Sequence, residues 1–225
     1  TESETTFKVW APTASKVVLN LFEAGNGGAA YKSVDMVLGE KGVWAHTEPC
    51  GHGTYYTYTV TTAVGTQEAV DPYAKAAGVN GDRSMVVDLS KTNPEGWGKA
   101  YDSGIKTYSD AVIWEVHVRD FSNKISSSQY QGKYLAFTEA GLVNEHGQSV
   151  GVDYLKQLGI THVHLLPVYD YATVDESGSG NEFNWGYDPK NYNVPEGSYS
   201  TDPYNGEVRI REYKQMVQSL HDAGI

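Results

Sequence analysis

The chain is nearly without cysteine. Cys50 is the single one in 225 residues, so no disulfide can form within the chain and no metal site can rest on paired thiolates. Cys50 is expected to be an inert, partly buried thiol. Positive charge is also scarce: 17 Lys and Arg stand against 28 Asp and Glu, for a formal net charge of −11. The basic residues are scattered and form no stripe. Neither nucleic acid nor an anionic membrane surface is therefore expected as a partner, because phosphate neutralisation needs clustered cations. No apolar run approaches transmembrane length and no signal-peptide pattern is present. These absences leave a neutral or cationic ligand as the expected substrate class.

Tyrosine is abundant, with 17 Tyr against five Trp and five Phe. Its flat apolar ring and polar hydroxyl suit half-wet surfaces, whether a sheet face or a groove for a polar ligand. The first hundred residues read as all-β. FKVWAP (7–12), KVVLNLF (16–22), GVWAHTEP (42–49), TYYTYTVTT (54–62) and SMVVDL (84–89) have strand lengths and strand patterning. APTAS, AGNGG, LGEKG and CGHG punctuate them as turns, which predicts an antiparallel sandwich. The Thr/Tyr alternation of TYYTYTV predicts one packed face and one wet face. NPEGWG (93–98) marks a boundary, its Trp97 placed to pack against the next domain.

The period then changes. AVIWEVHV (111–118) is a near-continuous apolar run, as a strand covered on both sides requires. VGVDYLKQLGI (150–160) spaces Val152, Leu155 and Leu158 three apart, predicting a short amphipathic helix closed by Gly159. THVHLLPV (161–168) predicts a second buried strand. GEVRIREYKQMVQSLHDAGI (206–225) predicts a long helix with Val208, Tyr213, Met216, Val217 and Leu220 on or near one face. Alternating strands and helices predict parallel pairing, in either a doubly wound sheet or a (β/α)8 barrel. The pattern holds two strands and two helices, and a third strand is expected after Ile225.

Between THVHLLPV and the long helix lie some forty residues without helical or strand periodicity. Connections beyond roughly 15 residues in a compact domain are usually functional or disordered. VDESGSGNE (174–182) reads as a polar, flexible tip. NWGYDPKNY (184–192) does not, because Trp185, Tyr187 and Tyr192 must pack or stack on something. The stretch follows the C-terminal end of a parallel strand, where ligands bind in both candidate folds. Aromatic rings beside Asp and Asn suit a sugar, whose C–H face packs on a ring while its hydroxyls need fixed donors and acceptors. A self-packed loop is the competing reading for Trp185 and Tyr187.

WEVHVRDFS (114–122), THVHLLPVYD (161–170) and FNWGYDPKNYNVPEGSYSTDP (183–203) together resemble the type I pullulanases, in the α-amylase superfamily (glycoside hydrolase family 13). FKVWAPTASKVVLNLF resembles the start of the sandwich module that precedes their catalytic barrel. The resemblance covers essentially the whole chain, in the family's order. It implies a multidomain β and α/β protein: an immunoglobulin-like sandwich module over 1–98, a linker over 99–109, and the first two β/α units of a (β/α)8 TIM barrel over 110–225. It implies hydrolysis of α-1,6-glucosidic bonds in pullulan, amylopectin and limit dextrins with retention. In that chemistry a carboxylate nucleophile and a carboxyl acid/base stand about 5–5.5 Å apart.

The family's nucleophile and acid/base follow barrel strands four and five, so no catalytic residue is assigned here and both are expected beyond Ile225. This segment alone is expected to be inactive without the remaining C-terminal part of the enzyme. The resemblance assigns Tyr187 to stacking on the sugar, with Asp188 holding that tyrosine or a sugar hydroxyl, and Asn184 and Trp185 shaping the loop. Asp188 competes with a turn role beside Pro189, and Trp185 is expected to pack beneath the loop. His117 and His164 are expected as core or barrel-mouth histidines, and Arg119 with Asp120 as an internal ion pair. No cofactor is required. Calcium occurs in some family members, but no EF-hand-like spacing is present and no metal site is predicted. The α-glucan is the expected partner. Two alternatives stay open: a non-catalytic glucan-binding module using Trp44 and Tyr56, and another debranching or branching enzyme of the same superfamily.

Overall fold

The structure is a computed structural model that describes residues 3–178 and 182–225. The predicted polar tip includes residues 179–181, which lie outside the described residues. Strands β1 (Thr5–Trp10), β2 (Lys16–Phe22), β3 (Lys32–Asp35), β4 (Val37–Leu38), β5 (Val43–Glu48), β6 (Tyr55–Thr62), β7 (Gly65–Ala69) and β8 (Ser84–Met85) make two antiparallel sheets. One runs β1-β5-β4, the other β3-β2-β6-β7, with β8 also on β6. Alternate residues of both sheets point inward, as the pleat dictates. Phe7, Val9 and Trp44 from one meet Val17, Leu19, Leu21, Tyr56 and Tyr58 from the other in a single core.

Three strands escape sequence patterning because KSVD, VL and GTQEA carry no apolar alternation. The predicted fifth strand contracts to Ser84–Met85. Trp44 and Tyr56 are each 7% exposed, which removes them as a glucan platform. Their polar ends are also used inside: Trp44 Nε1 donates to the Ala11 carbonyl at 3.1 Å, and the Tyr56 hydroxyl donates to Asp71 at 2.8 Å. The predicted wet face of β6 is dry at its start. Tyr55 packs there with Phe22, Ala76, Met85 and Ile210, the last from helix α3 (Gly206–Asp222).

In the second half, β9 (Ile113–Val116) and β10 (His162–Leu165) pair in parallel, from Ile113 opposite His162 to Val116 opposite Leu165. Between them run α1 (Val118–Ser122), a 3-10 turn over Tyr134–Thr138, and α2 (Gly151–Leu158), which ends at Gly159 as predicted. β9 is not covered on both sides: Ile113 is 63% exposed, and β10 is its one sheet neighbour among the described residues. The long irregular stretch holds a hairpin that periodicity does not reveal. β11 (Tyr169–Tyr171) pairs antiparallel with β12 (Pro189–Pro195), with register shifts at both steps. Those irregularities, and a proline at each end of β12, erase the period-2 signal.

Helix α3 forms as predicted, and Met216 and Leu220 of its predicted face are buried with Tyr213 packed against the same core. Gly206, Ile210 and two charged side chains, Arg209 and Glu212, are buried as well. The second core gathers Val116, Val118, Phe137, Leu155, Met216 and Leu220 with the buried tyrosines Tyr134, Tyr171 and Tyr199. From α3, Lys214 lies over the Trp97 ring at 5.4 Å, and Gln218 donates to the Glu95 carbonyl. No helix among the described residues is long and apolar enough to cross a membrane.

Candidate functional site

The residues from Phe183 to Asp188 form a tight shelf between β11 and β12. Asn184 organises it. Its Oδ1 accepts from the Gly186 amide at 2.7 Å, and its Nδ2 donates to Thr173 Oγ1 at 2.7 Å and to Asp188 Oδ2 at 3.3 Å. Its own carbonyl accepts from His117 Nε2 at 2.7 Å. Gly186 has φ 86°, and a Cβ there would lie 2.9 Å from Pro167 Cβ. Only glycine lets the chain cross so close to the residues that follow β10. The shelf therefore sits over the C-terminal end of a parallel strand.

Asp188 braces the shelf from below. Oδ2 accepts from the Thr173 amide at 3.1 Å and its hydroxyl at 2.5 Å, and the Asp188 carbonyl accepts from the Ala172 amide. Burial pushes this carboxyl upward, yet the bonds from Thr173 and Asn184 prevail and hold it below the usual carboxylate range. These partners stand in place of the competing turn with Pro189. Oδ1 is buried and has no hydrogen-bond partner among the described residues.

The rings stand outside this frame. Tyr187 is 67% exposed and Trp185 62% exposed. Trp185 does not pack beneath the loop. It meets Phe183 edge to face at 5.9 Å, while Asn184, Thr173 and Asp188 bond to one another within the shelf. All four residues singled out in the sequence (Asn184, Trp185, Tyr187, Asp188) fall on one shelf, but they divide into two structural props and two exposed rings.

His117 is buried, with its ring against Phe183 at 5.0 Å and edge-on to Tyr199 at 5.8 Å. The Asn184 carbonyl can only accept, so Nε2 carries the proton; Tyr199 Oη lies 3.1 Å from the same nitrogen. Nδ1 is buried without a partner among the described residues. His164 is not a core residue: its side chain is 66% exposed and lies 3.3 Å from Glu115. Arg119 and Asp120 approach at 3.6 Å as an ion pair.

Beside the shelf opens a cavity of about 290 Å³ lined by His117, Arg119, Lys133, Glu176, Asn184 and Tyr199, among others. Next to it lies a group the sequence reading missed. Asp170, Glu176 and Glu196 bring carboxylate oxygens within 4.8 Å of one another, and Arg209 is driven in among them. Arg209 reaches Asp170 Oδ1 at 3.2 Å, Glu176 Oε1 at 3.0 Å and Glu176 Oε2 at 2.7 Å. Both Glu196 oxygens accept backbone amides, from Tyr171 at 3.0 Å and Ser198 at 2.8 Å. This cluster does not fit a calcium ion, because a guanidinium already supplies the cation and N–H donors occupy the oxygens. Burial, with help from Glu176, pushes the Glu196 carboxyl up to about 7. Burial also raises Asp170, against the pull of Arg209. The sequence signal for this group was Arg209 itself, a cation on the stripe that Met216 and Leu220 mark as apolar.

Three comparisons bear on this arrangement. Residues 1–74 match Carbohydrate-binding module 48 (isoamylase N-terminal domain). The pullulanase of Bacillus subtilis (strain 168) is 39% identical over 230 residues, spanning 100% of this chain and 31% of that protein. The crystal structure of the Paenibacillus barengoltzii pullulanase in complex with maltohexaose and α-cyclodextrin superposes with a TM-score of 0.95 at 46% identity, over 100% of this chain and 35% of that one. The Bacillus acidopullulyticus pullulanase gives 0.93 at 45%, over 100% and 28%. The chain thus spans about a third of the length of the relatives it matches.

Proposed function

This chain is the N-terminal portion of a type I pullulanase, and on that premise we propose that it supplies a sugar-stacking shelf to a debranching glycoside hydrolase. In this reading residues 1–98 are the carbohydrate-binding-like module, 99–109 a linker, and 110–225 the opening two β/α units of a (β/α)8 barrel. The intact protein cleaves α-1,6-glucosidic bonds in branched α-glucans with retention. The remaining C-terminal part of the enzyme completes the barrel and brings both catalytic carboxylates.

The observation that carries the reading is the Tyr187 ring, two-thirds exposed, on a shelf pinned by Asn184, Gly186 and Asp188. A stacking platform must be open to solvent yet rigid, so that the ligand does not bear the cost of ordering it. It sits at the C-terminal end of β10, the end where barrel sites form. The nearby carboxylates support the same division of labour. Asp170 and Glu176 are engaged by Arg209, and Glu196 by backbone amides. None is free to attack a sugar or protonate a leaving group.

The test is Tyr187→Ala in the intact protein, with maltotetraose binding and pullulan hydrolysis as readouts. An anchor ring at the centre of a site is worth at least about 1 kcal/mol, or roughly fivefold in affinity. As an exposed residue its loss shifts stability by no more than about 0.5 kcal/mol. Wild-type binding and turnover in the variant would overturn the reading.

A further inference from the structure

One turn of the N-terminal sandwich half is tied to both flanks of the shelf. It spans residues 78–82, and Asn80 holds the left-handed conformation at φ 59°. Asn80 and Glu176 bond reciprocally: the Asn80 amide donates to Glu176 Oε2 at 2.6 Å, and the Glu176 amide donates to Asn80 Oδ1 at 2.7 Å. Asn80 Nδ2 also donates to Asp175 Oδ1 at 3.1 Å. These bonds fix Asp175 and Glu176 after β11, and the Asp175 amide donates to Glu182, next to the shelf, at 2.9 Å.

The strand that leaves the shelf is held by the same turn. Lys190, two residues after Asp188, donates from Nζ to the Asn80 carbonyl at 2.7 Å and to Asp82 at 2.5 Å. Asn191 donates to the Gly81 carbonyl at 3.0 Å. A Cβ on Gly81 would collide with the Asp170 carboxylate and the Asn191 amide, so turn and hairpin are in close contact. From the third side, Arg209 donates to the Gly78 carbonyl at 3.1 Å while holding Glu176. Gly78, Asn80, Gly81 and Asp82 thus bond with the segment after β11, the outgoing strand and helix α3.

We propose that the 78–82 turn is a positioning element for glucan binding, with Asn80 and Lys190 locking both ends of the shelf that presents Tyr187. The inference rests on the sugar role proposed for Tyr187 and adds a task for the sandwich half: it makes the platform rigid without touching the sugar. A shelf freed from the turn has to be ordered when glucan binds. That cost falls equally on the ground state and the transition state, so it raises KM and leaves kcat in place.

The experiment compares Asn80→Gly, Lys190→Met and the double variant with wild type in the intact protein. Glycine keeps the left-handed backbone available, so Asn80→Gly removes the side chain without adding strain. The expected result is a KM for pullulan raised about threefold to thirtyfold, with kcat within about twofold. Amide exchange over residues 183–189 quickens, while exchange in the sandwich core is unchanged. A lower melting temperature with wild-type KM and wild-type exchange over 183–189 would overturn the proposal, leaving the turn a purely structural contact. Tyr187→Ala, run alongside, separates the two readings. If it leaves KM unchanged, the sugar role falls and exchange alone decides the brace: quickened exchange upholds it and unchanged exchange overturns it.

Discussion

Arg209 and Glu176 meet through two parallel bonds, Nη2 to Oε2 at 2.7 Å and Nη1 to Oε1 at 3.0 Å, with both side chains sealed from solvent. Such a fork combines charge with fixed geometry. Here it also links four parts of the chain, since Arg209 lies on α3, Glu176 comes after β11, and the same guanidinium donates to Gly78 and to Pro195 at the end of β12.

Removing that cation strands its carboxylates. Arg209→Met leaves Asp170 and Glu176 buried without a counter-charge, which costs about 3–5 kcal/mol. Urea unfolding at pH 7 reads the loss as a lower midpoint. A midpoint equal to wild type at pH 7 would show that the pair contributes nothing.

Glu196 sets a slope of stability against pH. Its folded pKa is pushed up to about 7, above the carboxylate value of the unfolded chain, so between about pH 4.5 and 7 the folded state holds the extra proton. Stability from this group is full below the unfolded pKa and is lost as pH rises through the folded one. Each retained proton contributes a slope of at most about −1.4 kcal/mol per pH unit. Glu196→Gln flattens that part of the curve. It also lowers stability at every pH, because an amide NH2 cannot accept the backbone N–H that one Glu196 oxygen accepts. Urea midpoints from pH 5 to 7.5 check both effects, and an unaltered slope in the variant counts against the assignment.

The shelf has its own electrostatic test. Asn184→Asp keeps an oxygen for the Gly186 amide but sets a second carboxylate where Nδ2 now lies 3.3 Å from Asp188 Oδ2. Two carboxylates at that range cannot both ionise cheaply. Glucan affinity is expected to fall by about fivefold or more at pH 7 and to recover toward pH 4.5 as the pair shares a proton. Loss of equal size at both pH values would point to packing instead of charge.

How much the sequence disclosed depends on the range of each signal. KVVLNLF and THVHLLPV are strands because their patterning is local, and Gly159 ends α2 for the same reason. PKNYNVP hid because its hairpin is irregular and framed by prolines. Ring identity marked Trp44, Tyr56, Trp185 and Tyr187 alike as flat surfaces, but exposure is settled by neighbours far along the chain. Asp71 and Ala11 claim Tyr56 and Trp44 for the core, whereas Trp185 and Tyr187 stay exposed. The Asn80–Glu176 bond joins residues 96 apart, and no window of sequence contains both.

That separation bears on the order of assembly. The bonds that tie the 78–82 turn to Glu176, Lys190 and Arg209 close loops of 96 to 131 residues, and chain entropy makes such long closures slow relative to hairpins and single helices. Sandwich strands and α3 can form from nearby residues, while the brace under Tyr187 waits until both halves are built. A nascent or partly unfolded chain therefore holds the Tyr187 shelf slack, and the shelf becomes firm only as the last long-range contacts close.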